Sequence, residues 1–376
     1  MKITHVLSCL KKGGGERVVV ELANIGAQKG NAVTIIAGWQ VDPDYLQKNI
    51  DPGVTVKFIG QTKNIAYLKI IPWLLKNKKW LCNEDVLHCH LTFGAVFGSI
   101  AHILLKNILR KKTPIIVETY HAVGMPIPKF NRWLHSRMML LRNGVVLMAK
   151  DPYWNKFLLQ HTHLKTEIIH NGISMLNAQK NIEQKQNFRN EPGIPANCKY
   201  LVGTVSMLRP DRQPWLYLPI FQDVYNGLGD EVQFILAGSG IEFDKIKNDI
   251  EERGLSTHIH MPGFLSDPVI TMSNLDIYVS LSVGAITGIS MIEAAMCNVP
   301  VVGIQMIENY QAKDDDWVWS HTDSKEVAKK IISLLQNTEE RHKLAADQYK
   351  YVTRYFTSEA MYISYDSFYR KILAVQ

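Results

Sequence analysis

Short runs rich in Val and Ile, alternating with helical stretches, predict an α/β chain built on doubly wound parallel sheets. The alternation starts twice, and charge is divided the same way. Residues 1–175 carry 23 Lys and Arg against 10 Asp and Glu, whereas the remaining residues carry 19 against 25. With 376 residues there is room for two domains of about 100–200 residues each.

In chain order, KITHVLSCL is expected as a strand, GERVVVELANIGAQKG as a helix, and AVTIIAG and VTVKFIG as strands. DVLHCH, PIIVETYHA and GVVLMAK continue the set, with helical patterns between them. The apolar run HLTFGAVFGSIAHILLKNIL contains His90, His102 and Lys106, so it is expected as a buried helix rather than a membrane span. A polar stretch through residues 174–198 marks the join. YLVGTVSML, VQFILAGSG, IHMPGFL, LDIYVSLS and VPVVGIQ are the second strand set, and WLYLPIFQDVYNG, FDKIKNDIEERG and ISMIEAAMC the helices between them. The closing helix SEAMYISYDSFYRKILAVQ has no strand after it and is expected to pack back on the first half. The domains are thus 1–175, 176–357 and the helix 358–376.

Composition removes several function classes. Five cysteines without a C-x-x-C argue for reduced thiols and a cytoplasmic location. No nucleic-acid motif accompanies the basic first half, so nucleic acid is not expected as a partner. That half instead suits a phosphorylated substrate or an anionic membrane. AYLKIIPWLLKNKKWL (66–81), with Trp73 and Trp80, and IAHILLKNILRKK are the segments that would meet a membrane surface; the rival is an ordinary covering helix, since Pro72 interrupts any long amphipathic pattern.

Ligands of open α/β sheets collect at the carboxyl ends of the strands, so turns there carry the candidate chemistry. Gly13, Gly14 and Gly15 follow the first strand and let a ligand approach a helix N-terminus; a plain tight turn is the alternative, and the pattern is not G-x-G-x-x-G. Arg209 and Arg212 in SMLRPDRQP offer guanidinium forks for a diphosphate, or form a solvated basic turn. Gly238 and Gly240 mark the next strand-to-helix turn, and Asp267 and Asp276 are expected as caps. In GAITGISMIEAAMCNVPVVG one carboxylate, Glu293, sits about a turn inside an apolar helix. A buried acid is costly without something to hold, and Glu293 is placed to accept two hydrogen bonds from a ribose diol. The acidic run 314–316 is expected as a solvated loop. The pair His88 and His90 lacks a third ligand for zinc and is expected as one cleft histidine, His90, with His88 packed beside it.

Taken in order, these segments resemble the retaining glycosyltransferases with two facing Rossmann-like domains, the GT-B architecture (glycosyl transferases group 1, E-x7-E type). The glycine loop resembles G-G-x-E-R, and Asp85, His88 and His90 resemble D-x-x-H-x-H. VETYHAVG is similar to the T-x-H segment, EIIHNGIS to I-P-N-G-I, and IEAAMCNVPVVG to E-A-x-A-x-G-x-P-V-V. The resemblance implies an acceptor-binding first domain and a nucleotide-sugar-binding second domain. By it His121 and Glu293 are catalytic, with Glu293 on the ribose hydroxyls. Gly14, Gly15, Arg209, Arg212, Gly238, Ala285, Ile286, Thr287, Gly288 and Ile289 bind the donor, and His90 and Asn171 lie on the acceptor side. No metal or cofactor is implied.

Two positions depart from the family pattern. Ala285 stands where the first glutamate is expected, and Met207 where an arginine is expected. The implied activity is transfer from a UDP- or GDP-sugar to a glycan or lipid-linked acceptor in bacterial surface polysaccharide synthesis, with peripheral contact to an anionic membrane. The rival expectations are a catalytically weakened nucleotide-sugar-binding or scaffolding protein, and a UDP-sugar epimerase.

Overall fold

The first apolar run forms β1 (Lys2–Leu10), and the alternation then proceeds through α1 (Gly14–Gln28), β2 (Ala32–Gln40), α2 (Pro43–Asn49), β3 (Val54–Gly60) and α3 (Lys63–Leu81). It continues with β4 (Val86–His90), α4 (Leu91–Ala101), β5 (Ile115–Tyr120), α5 (Lys129–Met139), β6 (Gly144–Leu147), α6 (Pro152–Leu159) and β7 (Lys165–Ile168). The computed structural model describes residues 1–10, 13–40, 43–121, 127–175, 198–265, 267–283, 288–305 and 317–375. The strands lie parallel in one sheet, ordered β3-β2-β1-β4-β5-β6-β7. Helices cover both faces, which is why these strands read as near-continuous apolar runs. Leu7, Val19, Val20 and Ile35 form the core under α1, while Val6, Leu87, Phe93 and Phe97 form the core under α3 and α4.

The second sheet contains β8 (Tyr200–Val205), β9 (Val232–Ala237), β10 (Ile259–His260), β11 (Ile277–Val283), β12 (Val301–Gln305) and β13 (Trp319–His321), in the order β10-β9-β8-β11-β12-β13. Its helices are α7 (Tyr217–Leu228), α8 (Phe243–Glu252), α9 (Pro268–Ser273), α10 (Ile289–Met296), α11 (Ser324–Gln336) and α12 (Thr338–Tyr355). The last helix, α13 (Ser358–Leu373), lies against α1, where the Ser358 hydroxyl donates to Glu21 at 2.8 Å and Asn31 donates to the Tyr362 hydroxyl at 2.6 Å. Contacts divide the chain into one unit of Met1–Gly172 with Ser358–Gln376 and a second of Ile173–Thr357. The division therefore falls after Gly172 rather than after Met175, because Ile173 is already bonded to Phe356 and bridged to Thr357.

Several expectations are corrected. β7 and β13 were not foreseen, and of IHMPGFL only Ile259 and His260 pair. The apolar run is helical, α4 continuing as π-helical turns over His102–Ile108, but only 44% of Leu91–Ile108 is buried. Phe93, Phe97 and Leu105 face the sheet while Ile103 and Ile108 are exposed. Pro72 does not break α3, which runs through it. Asp267 caps α9 through Val269 N, and Asp276 accepts from Leu201 N at 2.8 Å. Residues 314–316 lie outside the described residues.

Candidate active site

In the first unit, polar side chains gather on one sheet face along β1, β4 and β5, reaching the carboxyl ends of β4 and β5 at His90 and His121. Residues two apart on a strand share a face, so His88 and His90 of β4 point the same way, and the parallel register sets His5 of β1 opposite His88. His5 Nδ1 lies 3.1 Å from His90 Nε2, and His90 Nδ1 lies 3.3 Å from His121 Nε2. His88 is held at both nitrogens, Nε2 by the Thr119 hydroxyl at 2.8 Å and Nδ1 by the Tyr369 hydroxyl at 2.7 Å. Tyr365 meets the same Thr119 hydroxyl at 2.8 Å. Two tyrosines of α13 therefore complete the cluster.

Burial sets the charge of this cluster. It lowers the pKa of His5 to about 3 and, against a weaker opposing pull from Glu118, that of His121 to about 4. His88 and His90 are also held well below the ordinary histidine value, by burial first and by neighbouring imidazoles second. The four rings are accordingly neutral at physiological pH, and each ring-to-ring bond fixes a tautomer. Ligating nitrogens of His5, His88 and His90 lie within 4.8 Å of one another, so a third histidine that the sequence did not reveal is present. Both nitrogens of His88 are already engaged, however, one by Thr119 and the other by Tyr369. The trio is a hydrogen-bonded support for His121.

His90 was expected to line a cleft; the structure buries it completely, and His121 takes the outer place. The glycine turn meets it there. Gly13 is the N-cap of α1, with Arg17 N bonded to its carbonyl at 2.9 Å, and Gly14 opens the helix. A side chain at Gly15 would lie 3.8 Å from His121 Nδ1 and 3.3 Å from Leu91. Leu91, directly after His90, holds φ 58°, a strained value for a branched residue. Asn171 is buried at the end of this unit, and Gly172 N approaches Met361 Sδ at 3.2 Å.

On the opposite face of that sheet Glu118 is buried with Arg142 at 2.7 Å and His135 at 2.6 Å. Burial would raise its pKa, but the Arg142 charge and the bond to His135 prevail and hold it below the ordinary carboxylate value. Arg142 also donates to the Ala95 carbonyl at 2.7 Å, tying β5 to α4.

In the second unit the turn after β8 contains a short 3-10 helix, Pro210–Arg212, ending at Gln213 with φ 45°. Arg209 was expected to grip phosphate, but both arms of its guanidinium bind Asp211, at 3.0 and 2.7 Å. Among the described residues no carboxylate pairs with Arg212. Gly238 follows β9 with φ 138°, and a Cβ there would overlap the Ser206 carbonyl. Its glycine is thus explained by packing between two turns, where Leu208 N also bonds to the Ser239 carbonyl at 3.0 Å. α10 starts at N-cap Gly288, so Ile289 and Ser290 lie in its first turn, with N–H groups that have no intrahelical acceptor. Glu293 follows one turn in, 4% exposed and close enough to Tyr278 to help hold that phenol protonated, burial being the larger cause. The Tyr278 hydroxyl donates to the Val205 carbonyl at 2.9 Å, linking Glu293's surroundings to the end of β8. Ala285, Ile286 and Thr287 lie outside the described residues.

Two family models succeed one another along the chain: Glycosyltransferase Family 4 matches residues 12–175 and Glycosyl transferases group 1 matches residues 184–351. An O-antigen biosynthesis glycosyltransferase of Escherichia coli, WclY, is 25% identical over 80% of this chain and 79% of its own. The N-acetyl-alpha-D-glucosaminyl L-malate synthase of Bacillus anthracis is 22% identical over 99% and 98%. Among solved structures, Anabaena HepE in complex with UDP superposes with a TM-score of 0.75 at 18% identity, covering 99% of this chain and 100% of the other. TarM superposes with a TM-score of 0.73 at 13% identity, covering 98% of each. At these identities the superpositions speak for the fold, that of GT-B glycosyltransferases.

Proposed function

We infer, for a chain that belongs to the glycosyl transferases group 1 family, that it transfers a sugar from a UDP- or GDP-sugar to a glycan or lipid-linked acceptor, with retention, on the cytoplasmic side of a bacterial cell. The observation that carries this reading is Glu293: a buried carboxylate one turn inside a helix whose first-turn N–H groups are available to an anion. Glu293 would hold the ribose hydroxyls, while Arg212 and the start of α10 stabilise the charge that develops on the leaving diphosphate. These charges are the case for catalysis without a metal. The relative named for O-antigen biosynthesis supports the polysaccharide assignment, while the one named for a glucosaminyl malate product supports sugar transfer alone.

The first unit would bind the acceptor. Neutral His121, its Nε2 tied to His90, turns Nδ1 toward the glycine turn, where it can bond a sugar hydroxyl near the leaving oxygen. Ala285, in place of the family's first glutamate, favours a second reading in which donor is bound but not turned over. Calorimetry with UDP, GDP, ADP and CMP, followed by donor-hydrolysis assays with and without EDTA, tests both. Failure to bind any diphosphate would remove the glycosyltransferase reading; binding without turnover on any acceptor would favour the second.

A further inference from the structure

We propose that the outer surface of the helical layer α3–α4–α5 docks flat on an anionic lipid bilayer. α3 and α5 both pack against α4, so the three helices cover one face of the first sheet side by side. The inner side of α3 is buried through Ala66, Ile70, Leu74 and Leu81. Its outer side is apolar as well: Ile65, Leu68, Ile71 and Leu75 are exposed, Leu68 by 81%. A helix apolar on both sides has two apolar surroundings to satisfy, and the sheet supplies one. α5 repeats the pattern with Phe130, Trp133 and Leu134, exposed by 68, 50 and 44%, spaced to form one stripe. Phe130 and Trp133 stack at 5.9 Å, and Arg137 lies over the Trp133 ring.

Charge chooses the partner. Residues 63–142 contain 13 Lys and Arg and three acids. Those acids are occupied away from the layer's outer side: Glu84 with Thr4, Asp85 with Lys2 N, and Glu118 in its buried pair with Arg142. Lys69, Lys76 and Lys79 flank the α3 stripe, and Arg110, Lys111 and Lys112 follow the π-helical turns. Exposed aromatic and aliphatic side chains ringed by cations match anionic headgroups over an acyl boundary. The tryptophans that drew attention in the sequence are not the anchors. Trp73 and Trp80 turn inward, packed on each other at 6.1 Å, with Lys57 over Trp80. The inference extends the proposed function by naming where a lipid-linked acceptor would be met, and its readout does not depend on sugar transfer.

The full chain is sedimented with vesicles of phosphatidylethanolamine and phosphatidylglycerol, and with vesicles of phosphatidylcholine alone. Binding to the anionic vesicles only is expected, weakened by salt and about tenfold weaker in Leu68→Glu/Ile71→Glu and in Phe130→Ala/Trp133→Ala. Nucleotide binding in solution, unchanged in both variants, shows that they are folded. Absence of vesicle binding by the native chain, or full binding by both variants, overturns the proposal. So does a lipid-free dimer that either variant dissolves, since a second copy of the chain would then own the surface. A native chain that binds vesicles but no nucleotide would overturn the proposed function and leave this surface standing.

Discussion

The two units are built by the same alternation of strand and helix, yet the carboxyl ends of their strands differ in charge. The first gathers four neutral imidazoles, stacked behind one another so that His121 is the outermost. The second gathers a cationic turn, a helix start and one buried carboxylate. The contrast shows that the βαβ frame fixes where polar groups collect, while short turns decide which chemistry they carry. A neutral cluster suits hydroxyl groups; a cationic turn suits a diphosphate.

The glycines give the largest expected effect. Gly238→Ala forces a Cβ into the Ser206 carbonyl, and destabilisation of the second unit by about 3 kcal/mol is expected in chemical denaturation. Gly15→Ala meets only the tip of the Leu91 side chain closely, at 3.3 Å, which a small shift of that chain relieves, so stability should change by less than about 1 kcal/mol while turnover falls. Equal stability losses in the two variants would erase the distinction between a packing glycine and a site glycine.

For His121→Ala a fall in turnover of about 10²–10³-fold is expected, with donor affinity kept; a fully active variant would remove His121 from the chemistry. Glu293→Ala should weaken UDP binding by about 1–3 kcal/mol in calorimetry, and unchanged affinity would leave it a structural residue.

The arginines divide similarly. Arg212→Ala should cost more nucleotide affinity than Arg209→Ala, because the Arg209 fork is spent on Asp211 in an exposed pair. The reverse order would show that the Arg209–Asp211 pair opens on binding.

Acid sharpens the contrast last. Buried histidines of lowered pKa take no proton in the folded first unit, whereas an unfolded chain takes them up below the ordinary value of 6.5. Their stabilising contribution is complete above that pH and declines as pH falls toward about 4. Acidification followed by hydrogen exchange should open the first unit before the second.

Most strands were legible because a strand covered on both faces must be apolar throughout. β7 and β13 were not, being short edge strands, β7 with the polar sequence KTEI. The candidate site was legible where turn chemistry is local, at the glycine turn and around Glu293. It was not legible where partners come from distant strands. His5 could be found only by aligning β1 with β4, and Tyr365 and Tyr369 stand more than 240 residues from the side chains they hold. Trp73 was misread because its type was weighed before its phase; it shares the helix face of Ala66, Ile70 and Leu74.

One consequence concerns synthesis. The tyrosines that brace His88 and Thr119 belong to the final helix, so the ribosome must release the whole intervening unit before the opening one can finish its core. The strands of the first unit wait, partly bare, for residues 358–376. Loss of that helix by premature termination would therefore strike hardest at strands made before the whole second unit.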